Sequence, residues 1–267
     1  MELTQKGNSA QQTPSIQSLD RGLTILEAVA NREGPVSLSE LTDLLEIDRS
    51  SVFRLASTLK RRGFLAYPTG RKEYVLGPSL WRLSHKYNWG KMLIRISHMH
   101  LKALAAETNE TAQLAIRDDK QAVFIDSVTA TNQILCISGR IGETTPLYCT
   151  AHGKALIAGL TTAELRQLLG PEPLHQHTRR TAKSIKELAK VGTALKEHGF
   201  VTDDEEYHQG VRCVAAPIVS NDGQILGSIG ISAPSTRFPV QRFQECGEEV
   251  RRIAGEISKL LNEAPED

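Results

Sequence analysis

Residues 37–64 read SLSELTDLLEIDRSSVFRLASTLKRRGF, and this stretch decides the fold of the first third of the chain. Its opening, Ser37-Leu-Ser-Glu40, has the Ser-x-x-Glu spacing of a capping box, in which each side chain takes a backbone N–H that the first helical turn leaves unpaired. A short helix follows to about Leu45, Glu46-Ile47 makes a tight connection, and Asp48 caps a further helix with Val52, Leu55 and Leu59 on its inner face. Upstream, Leu19, Leu23, Leu26 and Ala30 recur every three to four residues and mark one face of an earlier helix, which residues 31–35 end. Downstream, residues 64–67 and 74–76 flank a turn at 68–72 and read as a two-stranded hairpin. Three short helices and a hairpin make a winged helix-turn-helix, in which the third helix enters the major groove of DNA and the hairpin reaches the phosphate backbone.

Charge supports that reading. Between residues 47 and 72, Arg49, Arg54, Lys60, Arg61, Arg62, Arg71 and Lys72 stand against the single acid Asp48, while the whole chain, with 32 basic and 31 acidic side chains, is only +1. The rest of the chain is therefore net acidic, and a basic module on an acidic body is the electrostatic footprint of DNA binding. With Val52, Leu55 and Leu59 turned inward, Arg49, Ser50, Ser51 and Arg54 remain outside near the helix start, the end that meets base edges. Arginine can bridge O6 and N7 of guanine, and serine can donate or accept. Arg21, Ser37, Arg71 and Lys72 complete the expected contacts with double-stranded DNA. Lys60, Arg61 and Arg62 fit a phosphate contact or a favourable interaction with the helix dipole equally well.

The 267 residues, 40% apolar and 24% charged, are those of one or two globular domains and not of a collagen-like, coiled-coil or disordered chain. Thirteen aromatic residues are too few for a platform that stacks single-stranded bases. Cys136, Cys149, Cys213 and Cys246 form no Cys-x-x-Cys pair and read as reduced thiols of a cytoplasmic protein. The first 14 residues are polar, unlike a signal peptide, and no apolar run approaches the roughly 20 residues that span a bilayer. Beyond the hairpin, residues 80–87 read as a short helix closing near Asn88-Trp-Gly90, and 92–108 as a longer one with Leu93, Ile96, Met99, Leu101, Leu104 and Ala105 inward. Strand character at 111–117, 122–128 and 134–137, helices at 154–160, 162–169 and 184–198, strands at 201–205, 211–219 and 225–232, and a final helix at 240–261 complete the pattern. On that helix Phe243, Val250, Ile253, Ile257 and Leu260 point inward. Strands, then helices, then strands indicate an α+β domain around an antiparallel sheet.

Four stretches resemble the isocitrate lyase regulator (IclR) family of bacterial transcription regulators, over nearly the whole chain. Gln17-Ser-Leu-Asp-Arg-Gly-Leu-Thr-Ile-Leu26 is similar to the family's first helix and Asp48-Arg-Ser-Ser-Val-Phe-Arg-Leu55 to its recognition helix. Pro146-Leu-Tyr-Cys-Thr-Ala-His-Gly-Lys-Ala155 resembles the loop and helix start that close the effector pocket. Gly199-Phe-Val-Thr-Asp203-Asp-Glu-Glu206, with Cys213-Val-Ala-Ala-Pro217 after it, resembles the C-terminal signature. The resemblance implies a GAF- or PAS-like C-terminal domain that binds a small carboxylate, sugar acid or aromatic acid, and a homodimer or pair of dimers on one operator. It divides the chain into a disordered tail (1–14), the winged helix-turn-helix (15–76), a linker helix (77–91) and an effector-binding and oligomerisation domain (92–267).

Carried over by position, the effector pocket is lined by Ala151 and His152 in the loop, Asp203, Cys213, and Gly230 and Ser232 on the following strand. His152 and Gly230 depart from the small residue and serine of glyoxylate-binding members, so the ligand is expected to differ in size or charge. The loop ahead of Lys154 should offer backbone N–H groups to a carboxylate at a helix start. Ser232 can donate to a ligand oxygen, and Cys213 is either a pocket wall or an inert buried thiol. Asp203 should be hydrogen-bonded or accept a ligand hydroxyl. His175, His177 and His208 read as surface residues. The expected protein is a repressor and not an enzyme, with no cofactor, catalytic residue or metal ligand. Two readings compete with it: a cysteine hydrolase using Cys213 with His152 or His208, and a metal-responsive regulator using Cys213, His152 and Asp203. A constitutive architectural DNA binder is a third, disfavoured by the size of the C-terminal part.

Overall fold

The computed structural model describes residues 16–68, 71–84, 88–130, 133, 136–137 and 139–264. The tail at 1–14, residues 134–135 of the strand expected at 134–137 and the tip of the hairpin turn lie outside these residues, and 136–137 are not in a strand. The chain divides into two compact units between Asn88 and Trp89.

In the first unit, helices α1 (Gln17–Ala30), α2 (Leu38–Leu45) and α3 (Arg49–Arg61) close around Ile25, Val29, Leu41, Val52, Ala56 and Tyr74. Both arms of the capping box form: Glu40 N–H donates to Ser37 Oγ at 3.2 Å and Ser37 N–H to Glu40 Oε2 at 2.8 Å. Asp48 caps α3, its Oδ1 accepting from Ser51 N–H at 2.9 Å. Strands β1 (Leu65–Ala66) and β2 (Val75–Leu76) pair antiparallel, shorter than the expected hairpin arms, and Tyr74 bridges to Val36 to lengthen the wing. Helix α4 (Pro78–Ser84) is tied to the end of α3 through Ser79 Oγ, which donates to the Arg62 carbonyl at 2.8 Å.

The buried stripe of α1 differs from the expected one. Gly22, Ile25 and Val29 are buried, whereas Leu19 and Leu23 are 60% and 50% exposed. The leucine spacing marks the margin of the apolar surface, and there Leu19 and Leu23 line, with Leu55 and Leu59 of α3, a groove of about 390 Å³.

The second unit opens on α5 (Asn88–Thr108), which runs through Asn88-Trp-Gly90 where a break was expected. Its sheet is antiparallel in the order β5-β4-β3-β8-β7-β6, from β3 (Thr111–Asp118), β4 (Gln121–Val128), β5 (Thr144–Pro146), β6 (Val201–Asp204), β7 (Val211–Val219) and β8 (Ile225–Pro234). One face carries Leu114, Val214, Ile218, Ile229 and Ile231 against α5 and α10 (Arg242–Glu263). Met99 and Leu260, expected inward, lie on the outer sides of these two helices. The other face is covered by α6 (Ala151–Ile157), with α7 (Thr162–Leu169), α8 (Ile185–Leu188) and α9 (Lys190–His198) beyond it. The single helix expected at 184–198 is two, meeting at Ala189. This is the expected α+β fold, and among the described residues no helix is long and apolar enough to cross a membrane.

Candidate functional site

On α3 the side chains of Arg49, Ser50 and Arg54 are exposed. Ser50 Oγ donates to Asp48 Oδ1 at 2.5 Å, and Arg54 Nη2 donates to Ser51 Oγ at 3.2 Å. Ser50 therefore keeps lone pairs for a partner, Ser51 keeps its proton, and Arg54 keeps most of its donor fork. Arg21 of α1 joins Ser18, Ser51, Arg54 and Thr58 around a groove of about 360 Å³. Two guanidinium-bearing side chains and three hydroxyls around one groove suit a phosphate or a base edge. Ser37 is largely committed to the cap of α2 and can offer only its O–H. Arg71 stands 3.6 Å from Glu73, and Lys72 beside it is exposed. Lys60 lies in the last turn of α3, with its Nζ 3.7 Å from the centre of the Tyr67 ring, a cation–π contact that pins the helix to the wing.

In the second unit, the strand register sets Asp203, Cys213, Ser232 and Thr111 side by side across β6, β7, β8 and β3 on the face that α6 covers. Cys213 Sγ is 3.1 Å from Ser232 Oγ, which donates to Gln113 Oε1 at 2.7 Å. The Gln113 amide lies directly beneath Gly139, where any side chain would overlap it. Thr111 Oγ1 is buried without a hydrogen-bond partner among the described residues. Asp203 Oδ1 accepts from Glu206 N–H at 2.7 Å. Burial pushes the Asp203 carboxyl up to about 7, against the opposing pull of Lys154. Lys154 is itself buried and paired with Glu206, so the site holds two carboxyls and one ammonium.

Three expectations need correction. Ala151 and His152 are not in a loop: α6 starts at Ala151, three residues before the expected start, because Thr150 Oγ1 caps it by accepting from Gly153 N–H at 3.1 Å. The helix start therefore lies at Ala151, and no loop ahead of Lys154 presents N–H groups to a carboxylate. His152 is 2% exposed, with Nδ1 2.9 Å from Ser228 Oγ, its ring edge on to Phe124, and Nε2 unpartnered among the described residues. Burial pushes it down to about 4, so it is neutral. Gly230 makes no room for a ligand, because a Cβ there would collide with the Val214 carbonyl and Ala215 of the next strand.

Neither competing chemistry finds a site. Burial holds the Cys213 thiol far above its usual range, and its neighbour is a serine hydroxyl, not an imidazole. His152, Cys213 and Asp203 do not form a ligand set, and among the described residues no three His, Cys, Asp or Glu side chains could hold a metal ion. His175, His177 and His208 are exposed, yet they gather with two tyrosines: His177 Nε2 is 3.1 Å from Tyr148 Oη and its ring packs on Tyr207.

Sequence reasoning missed Thr111, Gln113 and the Lys154–Glu206 pair. A signal for the first two exists, since Thr111 and Gln113 alternate with Ala112 and Leu114, placing polar groups on one side of a strand whose other side is apolar. Lys154 offers none, because its burial depends on a glutamate 52 positions away.

Comparison with known proteins converges on one family. The model for the C-terminal domain of bacterial IclR transcriptional regulators matches residues 85–259, and that for the IclR helix-turn-helix domain matches residues 18–68. The chain is 31% identical to the transcriptional repressor IclR of Escherichia coli K12, over 94% of this chain and 92% of that protein. Its fold is similar to the crystal structure of IclR from Thermotoga maritima, with 27% identity, a TM-score of 0.71, and 92% of this chain and 99% of that one covered. A homologue from Microbacterium hydrocarbonoxydans, crystallised with 4-hydroxybenzoate, shares the fold at 18% identity and a TM-score of 0.79, covering 92% of this chain and all of that one. The relatives are regulators and not enzymes, and with its DNA-binding helix-turn-helix and C-terminal domain both matched, the chain belongs to the IclR family of transcriptional regulators.

Proposed function

We propose that this regulator is a cytoplasmic repressor whose affinity for double-stranded operator DNA is set by a small organic acid bound on the polar face of the C-terminal sheet. The observation that carries the reading is the contrast between the two faces of that sheet. One is a continuous apolar layer, while the other buries Asp203, Cys213, Ser232, Gln113 and Thr111 in adjoining positions. Buried polar side chains cost stability unless something pairs with them, and the unpartnered Thr111 hydroxyl is a group that a ligand oxygen would satisfy. The names of the E. coli repressor and of the homologue crystallised with an aromatic acid support the sign of regulation and the ligand class.

In this reading Arg49, Ser50, Ser51 and Arg54 read bases, while Arg21, Ser37, Arg71 and Lys72 hold the backbone. Ala151, Asp203, Cys213 and Ser232 line the effector site, with His152 and Gly230 shaping it from behind. Residues 15–76 bind DNA, 77–91 link, and 92–267 bind effector and oligomerise as a dimer or pair of dimers, which matches an inverted-repeat operator. The test is binding to DNA upstream of its own gene, titrated against salt and repeated with a panel of carboxylates, sugar acids and aromatic acids. A log–log salt slope of about −7 corresponds to four phosphates neutralised per subunit of a dimer. One acid should shift the affinity by roughly 5- to 150-fold. Salt-dependent binding that no acid alters would reject the effector assignment.

A further inference from the structure

Among the exposed residues of α3, Phe53 stands alone in kind. The others are Arg49, Ser50, Arg54, Thr58, Lys60 and Arg61, yet Phe53, at 50% exposure, sits among them, one turn beyond Arg49 and beside Arg54. It borders Val52 and Ala56, the buried residues of the helix, on the same side as Arg49, and half of it remains open to solvent. An isolated exposed apolar residue elsewhere on a protein surface needs no explanation. On the helix that enters the major groove its chemistry matters, because that groove presents phosphates, base donors and acceptors, and one apolar group, the C5-methyl of thymine. Arginine and serine pair with the first three. Only an apolar side chain gains from the fourth, and the ring loses exposed area to water when it covers the methyl.

We infer that Phe53 is a specificity-determining residue that packs on the 5-methyl group of a thymine in each operator half-site, beside the bases contacted by Arg49 and Arg54. This rests on the assignment of α3 as the recognition helix. It adds an apolar reading position to a surface whose sequence pattern points only to hydrogen bonding.

The test removes the methyl and nothing else. Duplexes are selected from a random pool with the full-length wild-type protein, and each thymine of the selected half-site is replaced in turn by deoxyuridine. At one position the replacement should weaken wild-type binding about fourfold, the worth of one methyl, and about fifteenfold when both half-sites are substituted. Phe53→Ala should bind the thymine and uracil duplexes equally, and Phe53→Leu should keep part of the preference. Arg54→Ala should weaken binding overall while keeping the methyl preference. Wild-type protein indifferent to every thymine replacement, or a Phe53→Ala protein that still pays the penalty, would overturn the assignment of Phe53. Arg54→Ala binding the selected duplex as tightly as wild type would instead overturn the recognition-helix reading beneath it.

Discussion

Helices α3 and α6 begin alike and end as opposites. Each is opened by a side chain three residues before the N–H it serves, Asp48 for Ser51 and Thr150 for Gly153. In α3 only Val52 and Ala56 are fully buried, with Leu55 and Leu59 packed beside them, so the exposed Arg49, Ser50, Phe53 and Arg54 are open to a large, charged partner. In α6 all seven residues are buried, including His152 and Lys154, whose Nδ1 and Nζ are answered from within the fold by Ser228 and Glu206, while His152 Nε2 has no partner among the described residues. One helix is built to be touched and the other to hold a polar interior in place. The difference shows why the exposed face of α3 is legible in helical periodicity and the surroundings of α6 are not. An apolar stripe is visible in sequence when the opposite side is wet, and α6 has no wet side.

The largest effect that separates the two regions is expected at glycine. A Cβ at Gly153 would lie 2.5 Å from the Leu147 Cα and 2.6 Å from the carbonyls of Leu147 and Pro146, all backbone atoms that cannot turn aside. Gly153→Ala should therefore cost about 3 kcal/mol or more and impair the folding of the second unit. At Gly22 of α1 a Cβ meets nothing within 4 Å, and Gly22→Ala should stabilise by about 0.5–1 kcal/mol through the lost freedom of the unfolded chain. Thermal unfolding of the two variants checks both signs. A Gly153→Ala protein as stable as wild type would show that α6 can lift off β5 and is not fixed to it.

A second separation is in titration, because the groups around α6 are buried and those of α3 are not. His152 is pushed down to about 4 from an unfolded value near 6.5, so the unfolded chain binds its proton more readily and stability falls as pH drops from 6.5 to 4. Asp203 is pushed up to about 7, so the folded chain binds its proton more readily and stability falls as pH rises from about 4 to 7. Each shift corresponds to about 3–4 kcal/mol, with opposite sign over nearly the same window. In the wild-type second unit these two contributions should thus largely offset each other between pH 4 and 6.5. Asp203→Asn should uncover the histidine and lose about 3 kcal/mol over that interval on acidification, whereas His152→Gln should uncover the opposite slope. Chemical denaturation at several pH values reads this directly, and a flat Asp203→Asn profile would mean that His152 is not held neutral.

How much of the molecule was legible follows the same line. The capping box at Ser37, the cap at Asp48, the ends of α2 and α3 and the positions of the long strands along the chain all lie in local chemistry, and the structure has them where the residues put them. The buried stripe of α1 was misread by one step because its leucines flank the core instead of filling it. Strand β5 has three residues, too few to show an alternation. At the candidate effector site Asp203, Cys213 and Ser232, grouped by the family resemblance, stand side by side through the antiparallel register of β6, β7 and β8. Gly230 and His152 could not be read correctly, because their roles depend on how near β7 and β8 come to them.

The smallest effect tests whether the shared cap has one value or two. Thr150 is buried, and its hydroxyl both accepts from Gly153 N–H and donates to the Pro146 carbonyl at 2.8 Å. Thr150→Ala leaves those two backbone groups unpaired where water does not reach, at a cost of about 2 kcal/mol. Asp48 performs the same task at the surface, with its carboxyl held well below the usual range chiefly by the Ser50 and Ser51 hydrogen bonds. Asp48→Ala exposes Ser51 N–H to solvent, which takes over the bond, so the loss in the first unit should be well under half of that at Thr150. Asp48→Asn, which keeps an acceptor, should lose less still. Removing the only acid among seven basic residues should also raise affinity for random duplex DNA in both Asp48 variants, most clearly at low salt. Equal destabilisation by Thr150→Ala and Asp48→Ala would mean that burial does not set the worth of the cap. The contrast between a wet helix and a dry one would then have to rest on side-chain packing alone.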